Sequence, residues 1–140
     1  EAARADRHGT SMCLAVMDVD HFKTINDEFG HPTGDKALVH LSRIVRESIR
    51  PSDVVARLGG EEFVIMLPEA SLDEAAAVMQ RVQRELTKRI FMHEHQRVLI
   101  TFSAGVVQRM PGELRDALIG RADRALYAAK QAGRNRVVAQ

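Results

Sequence analysis

Four carboxylates in two short clusters are where this chain could do chemistry. Asp18-Val19-Asp20 closes an apolar run, and Glu61-Glu62 follows directly on Gly59-Gly60. Adjacent glutamates repel one another unless a cation lies between or beside them. No Cys or His stands near them at metal-ligand spacing, so the donors are hard oxygens, which favour Mg2+ or Mn2+ over zinc. Mg2+ held by one or two carboxylates usually completes its shell with water and substrate phosphates. Paired divalent ions can clamp the attacking and leaving oxygens of an in-line displacement at phosphorus. For one Asp-x-Asp a solvated acidic rim is the simpler reading. Two clusters on neighbouring elements favour the metal.

The elements must bring those clusters together. Met12 to Met17 is a continuous apolar run bounded by turn residues, the pattern of a strand buried on both faces. Asp18 and Asp20, two apart at its end, point to the same side. Val54-Val55-Ala56 and Phe63-Val64-Ile65-Met66-Leu67 are two strands joined through a Gly59-Gly60 tip. The glycines tolerate positive φ and let a bulky ligand come against the backbone. With the first strand beside this hairpin, Asp18 lies next to Glu61.

Around these the chain reads as follows. Glu1 to His8 is the tail of a helix closed by Gly9. Phe22, Ile25 and Phe29 keep helical spacing up to Gly30, and a second helix runs from about Gly34 to Ile49, with Leu38, Leu41 and Val45 on its stripe. Ser71-Leu72-Asp73-Glu74 is a capping box starting a helix that buries Ala75, Met79, Val82, Leu86 and Ile90. Val98 to Val106 alternate as a strand. A last helix carries Leu114, Leu118, Ala125 and Ala129 to Gly133, and Val137-Val138 is a short terminal strand. The central hairpin breaks simple alternation, which predicts a single α+β domain with a mixed sheet flanked by helices. His93-Glu94-His95 lacks the spacing of a helical zinc motif and reads as a loop.

Composition narrows the function classes. At 140 residues, 45% hydrophobic and 28% charged, the chain is an ordinary globular domain. A net charge of +1 argues against a dedicated nucleic-acid binder. No apolar run approaches a membrane span, so membrane contact by this domain is not expected. The lone Cys13, inside an apolar run, reads as a buried inert thiol in a reducing compartment. The chain does not start with Met and reads as a piece of a longer protein.

Gly59-Gly60-Glu61-Glu62-Phe63 resembles the signature of the GGDEF family, the diguanylate cyclases, in its GGEEF form. The resemblance extends to Asp18-Val19-Asp20-His21-Phe22-Lys23-Thr24-Ile25-Asn26-Asp27, to Phe29-Gly30-His31 with Gly34-Asp35, and to Ala122-Asp123, Tyr127 and 129–135. It implies a palm-like fold shared with nucleotide cyclases, condensing two GTP into cyclic di-GMP and two pyrophosphates. By motif, Asp18, Glu61 and the Val19 carbonyl would hold the metal and Glu62 would assist at a second one. Glu61 would also help deprotonate the 3′-hydroxyl, with Gly59 and Gly60 against the nucleotide. Asn26 and Asp35 would read the guanine edge, Phe22 and Lys23 would line the phosphates, and Lys130 with Arg134 would neutralise them. Read without the family, Asn26 and Asp35 are also plausible as helix-terminal polar residues, and Lys130 and Arg134 as cations opposing a helix dipole.

The resemblance further implies an inhibitory product site at Arg50 and Asp53 with Arg81; the bland alternative is a surface ion pair capping a helix. It implies catalysis by two subunits facing each other, and a cytoplasmic output domain of a larger, in some cases membrane-bound, signalling protein. The family's Asp-x-Leu-Thr-Gly-Leu-x-Asn-Arg block lies upstream of this chain, so lower activity than the parent's is expected. With neither heptads nor a large apolar stripe, the chain alone is expected to be mostly monomeric. The rival reading is a weak GGDEF module that senses GTP or cyclic di-GMP without turnover; a purely structural domain would leave the carboxylates unexplained.

Overall fold

The structure, a computed structural model, describes residues 11–140; the helix tail expected over Glu1 to His8 lies outside them. Strand β1 (Met12–Val19) leads through helix α1 (Phe22–Phe29) and helix α2 (His31–Ser48) to the hairpin β2 (Val54–Leu58) and β3 (Glu62–Pro68). Helix α3 (Leu72–Lys88), the small hairpin β4 (Phe91–His93) and β5 (Gln96–Val98), strand β6 (Phe102–Gln108), helix α4 (Arg115–Gln131) and strand β7 (Val137–Ala139) complete the order. The main sheet runs β2-β3-β1-β6-β7, with β7 parallel to β6 and the other pairs antiparallel. The sheet is mixed and the class α+β, as the central hairpin predicts.

The apolar run of β1 is explained by its place. It lies between β3 and β6, which pair both its edges, and helices cover both its faces. Cys13, Ala15, Met17 and Val19 pack with Phe22, Ile25, Leu38, Leu41, Val45 and the Met79-Val82-Leu86 stripe of α3. Met12, Leu14 and Val16 pack on the other face with Leu118, Ala122, Ala125 and Leu126 of α4. Period-2 alternation therefore assigns even-numbered β1 residues, Asp18 included, to the α4 side. Contact there is close: a β-carbon on Gly105 of β6 would come within 2.3 Å of Leu126 N and 2.4 Å of Ala122 O. A side chain at position 105 would lift α4, and whatever α4 carries, off the sheet.

Several boundaries differ from the sequence pattern. Helix α2 begins at His31, because Pro32 sits in the first turn where its missing N–H costs nothing. Ile90 lies beyond the end of α3 and is exposed, and Leu114 is an exposed N-cap rather than a helical core residue. The alternation from Val98 to Val106 is not one strand: Val98 ends β5, and β6 starts at Phe102 and is buried on both faces. His93-Glu94-His95 is the tip of the β4–β5 hairpin, with positive φ at Glu94 and His95. The Ser71–Glu74 capping box is present in both directions. Cys13 is buried; its thiol donates to Ala70 O, and burial raises its pKa to about 11. Among the described residues, no helix is long and apolar enough to cross a membrane.

Candidate active site

Antiparallel pairing of β1 with β3 puts Asp18 directly opposite Glu62, and Val19 N–H donates to Glu61 O at 3.3 Å. Glu62 shares the α4-facing parity of Val64 and Met66, so Asp18 and Glu62 stand on one face. Glu61 ends the turn that starts at Gly59, whose φ is 62°. Open space surrounds both tip glycines, and Arg57 Nε donates to Gly60 O at 2.9 Å, pinning the tip from below. The hairpin thus brings Asp18, Val19, Glu61 and Glu62 to one point at the sheet's end.

That point is electrostatically unbalanced. Burial, then the carboxylates of Asp123, Asp18 and Glu61, push the Glu62 pKa up, against the pull of Lys130. Asp18 Oδ2 accepts from Lys130 Nζ at 2.5 Å, while its buried Oδ1 has no hydrogen-bond partner. Among the described residues no three His, Cys, Asp or Glu side chains form a ready-made metal cage. A buried, unused acceptor opposite a second carboxylate, Glu62, nonetheless suits a hard cation whose shell is completed by phosphate oxygens and water.

Asp20 does not join this cluster, although the Asp-x-Asp spacing suggested it would. The strand ends at Val19, and beyond it the buried Asp20 turns to accept from Thr101 Oγ1 at 2.7 Å, Ser103 Oγ at 2.6 Å and Asn135 N at 2.9 Å. Its carboxylate is used up as a clasp between β1, β6 and the turn after α4. That turn carries Arg134, exposed and with φ 63°, just beyond Lys130. The two cations assigned to phosphate therefore sit on a segment tethered to the turn that directly follows Asp18 and Val19.

Phe22 and Lys23 open α1, and His21 before them takes a left-handed conformation without capping the helix through its side chain. The first-turn N–H groups therefore have no side-chain cap and suit an anion. Phe22 is buried and Lys23 exposed. Asn26 lies in the last turn of α1 with its Oδ1 buried and unpartnered, against Gly34 of α2. Asp35 follows, exposed at the start of the second turn of α2. On the far side of this junction His93 meets Thr33 Oγ1 at 3.0 Å and packs edge-on to Phe29, so the β4–β5 hairpin braces it.

At the opposite end of β2, Arg50 Nη2 donates to Asp53 Oδ1 at 2.8 Å and to Pro68 O at 2.6 Å. Asp53 is buried while the Arg50 side chain is 39% exposed, so the pair reaches the surface on its arginine side only. Arg81 donates to Ser48 O at the end of α2, which places it beside the same turn. Three residues of the site region have no clear signal in spacing alone: Arg57 under the tip, and Thr101 and Ser103 as partners of Asp20. The two hydroxyls lie in the segment that the alternation predicts to be one strand.

Comparison with known proteins agrees with this geometry. The family described as Diguanylate cyclase, GGDEF domain, matches residues 1–136. Diguanylate cyclase DgcP of Pseudomonas aeruginosa is 43% identical over 137 residues, 98% of this chain and 20% of the relative. The GGDEF domain of DgcB from Caulobacter crescentus, solved in complex with c-di-GMP, superposes with a TM-score of 0.93 at 38% identity, covering 98% of this chain and 82% of that one. The active GGEEF domain of a diguanylate cyclase from Vibrio cholerae does so with a TM-score of 0.89 at 33% identity, covering 98% and 87%. The chain spans 20–38% of the length of the curated relatives it matches. On the match across residues 1–136, and on relatives alike in both sequence and fold, the chain belongs to the GGDEF family of diguanylate cyclase domains.

Proposed function

We propose that this domain condenses two GTP into cyclic di-GMP, releasing two pyrophosphates. The observation that carries the reading is the carboxylate cluster at the hairpin tip, with Asp18 opposite Glu62 and its Oδ1 buried without a partner. Asp18, Glu61 and the Val19 carbonyl would hold a divalent cation, Mg2+ or Mn2+, and Glu62 would assist at a second. Such a cation supplies charge stabilisation at the phosphates and lowers the pKa of a bound hydroxyl. Glu61 takes the proton from the 3′-hydroxyl of its GTP. That oxygen attacks the α-phosphorus of the GTP held by a second, facing subunit, and pyrophosphate leaves. The first turn of α1, from Phe22 and Lys23, and the cations Lys130 and Arg134 neutralise the leaving charge. Lys130, which pairs with Asp18 at 2.5 Å, would serve the phosphates from the same place. Asn26 and Asp35 read the guanine edge, where a carboxylate accepts from N1–H and the 2-amino group and an amide can donate or accept.

Arg50, Asp53 and Arg81 form a product-binding turn that inhibits, remote from the catalytic tip. The domain works at the cytoplasmic output end of a longer protein, whose other parts bring two copies together. Incubation with GTP and Mg2+, followed by chromatography, should yield cyclic di-GMP and pyrophosphate. Bound but unchanged GTP would leave a sensor instead, and absence of both binding and turnover would overturn the reading. Glu61→Gln keeps shape while removing charge and base, and should lower turnover by about 10²–10³-fold. Near wild-type turnover of the folded variant would sink the catalytic assignment.

A further inference from the structure

Gly34 is buried in the first turn of α2, facing α1. A β-carbon there would lie 1.8 Å from Asn26 Oδ1, 2.9 Å from Asn26 Cγ and 3.2 Å from Phe22 Cζ. The Asn26 amide therefore occupies the volume that any other residue at position 34 would fill. Its Oδ1 is buried and unpartnered, an arrangement that costs stability until a donor arrives. Glycine is also a poor helix former where alanine is the best, so α2 on its own would favour alanine. Helix propensity argues against Gly34 and burial without a partner argues against Asn26, so each is kept at a cost to stability.

We propose that Gly34 is a specificity-determining residue of the guanine subsite: its missing β-carbon makes the space in which the Asn26 amide meets the base. The inference rests on the reading of Asn26 as a guanine contact and adds what that contact requires. Guanine presents N–H donors at N1 and at its 2-amino group. Adenine has an acceptor at N1 and no 2-amino group. Holding the amide between α1 and α2 is then what separates the two bases. The phosphate contacts of α1, Lys130 and Arg134 do not depend on it.

The consequence is that stability and base recognition move in opposite directions. In Gly34→Ala the β-carbon evicts the flexible amide while the helix gains a better former. Titration calorimetry with GMP, which has no pyrophosphate to lose and cannot react, should show affinity reduced about tenfold or more. Affinity for AMP and for tripolyphosphate should stay as in wild type, and the thermal midpoint should hold or rise. In an Asn26→Ala background, Gly34→Ala should leave GMP affinity unchanged within about twofold, since no amide remains to be displaced. Full GMP-over-AMP preference in Gly34→Ala would overturn the proposal, as would an equal loss in the Asn26→Ala background. If the single variant unfolds, the double variant, with room made for the β-carbon, should refold; failure to do so also overturns it. A wild type that binds GMP and AMP alike would remove the guanine reading itself, and the proposal with it.

Discussion

Glu62 stands among three other carboxylates, Asp123, Asp18 and Glu61, and burial adds to their repulsion. Its ionised form is therefore disfavoured in the folded state, and folding near neutral pH carries that penalty. Glu62→Gln should melt higher than wild type in buffer containing a chelator. Added Mg2+ should narrow the gap, because a cation relieves the wild type and has less to relieve in the variant. Thermal melts with and without Mg2+ measure this, and a Glu62→Gln protein that melts lower without metal would contradict it. The same side chain is expected to matter for turnover, so stability and activity oppose each other here. Asp18 meets the problem differently, since Lys130 already neutralises one of its oxygens.

Between elements, Asp20 does for the site what no single helix or strand could. Its carboxylate joins β1, β6 and the α4–β7 turn through three hydrogen bonds. In Asp20→Asn the amide nitrogen faces a donor, and the loss should destabilise the fold by about 1–3 kcal/mol. GTP affinity should fall while GMP affinity holds, because the turn positions Arg134 for the outer phosphates. Equal losses for both nucleotides would reduce Asp20 to a structural clasp. The Arg50–Asp53 turn belongs to the same scale. Arg50→Ala should weaken cyclic di-GMP binding by ~2–5 kcal/mol, more than tenfold. Initial turnover should persist, since the turn and Glu61 lie at opposite ends of β2. Calorimetry showing equal affinity in wild type and variant would leave the turn a structural ion pair, with Arg50 satisfying the buried Asp53 and Pro68 O.

For the molecule as a whole, the exposed large apolar side chains are scattered. Val54 and Leu58 lie on β2, Ile90, Met92 and Leu99 around the small hairpin, and Tyr127 on α4. Among the described residues these are groups of one to three side chains, well short of the roughly 20–30 residues a side of a standard interface. Light scattering at micromolar concentration should find the chain mostly monomeric, with specific turnover that rises with protein concentration. A tight dimer without ligand would refute this.

Much of this was readable in the residues themselves. The apolar run from Met12 to Met17 determined a strand buried on both faces, and the packing of α4 decided which side of the sheet Asp18 stands on. The glycine pair between two apolar runs determined a hairpin, and its two carboxylates are the ground for proposing a hard cation there. Strand, hairpin and paired charges are local properties, set by side-chain period and by the repulsion of adjacent charges. Asp20 was decided otherwise. Its spacing from Asp18 predicted a shared face, but the strand stops at Val19 and the partners, Thr101, Ser103 and Asn135, come from more than 80 residues away. Val98 and Phe102 likewise belong to different sheets, because pairing partners decide where a strand ends and alternation does not. Only the packing of α1 on α2 showed why position 34 is glycine: the atom that would collide there belongs to a side chain eight residues earlier, on another helix.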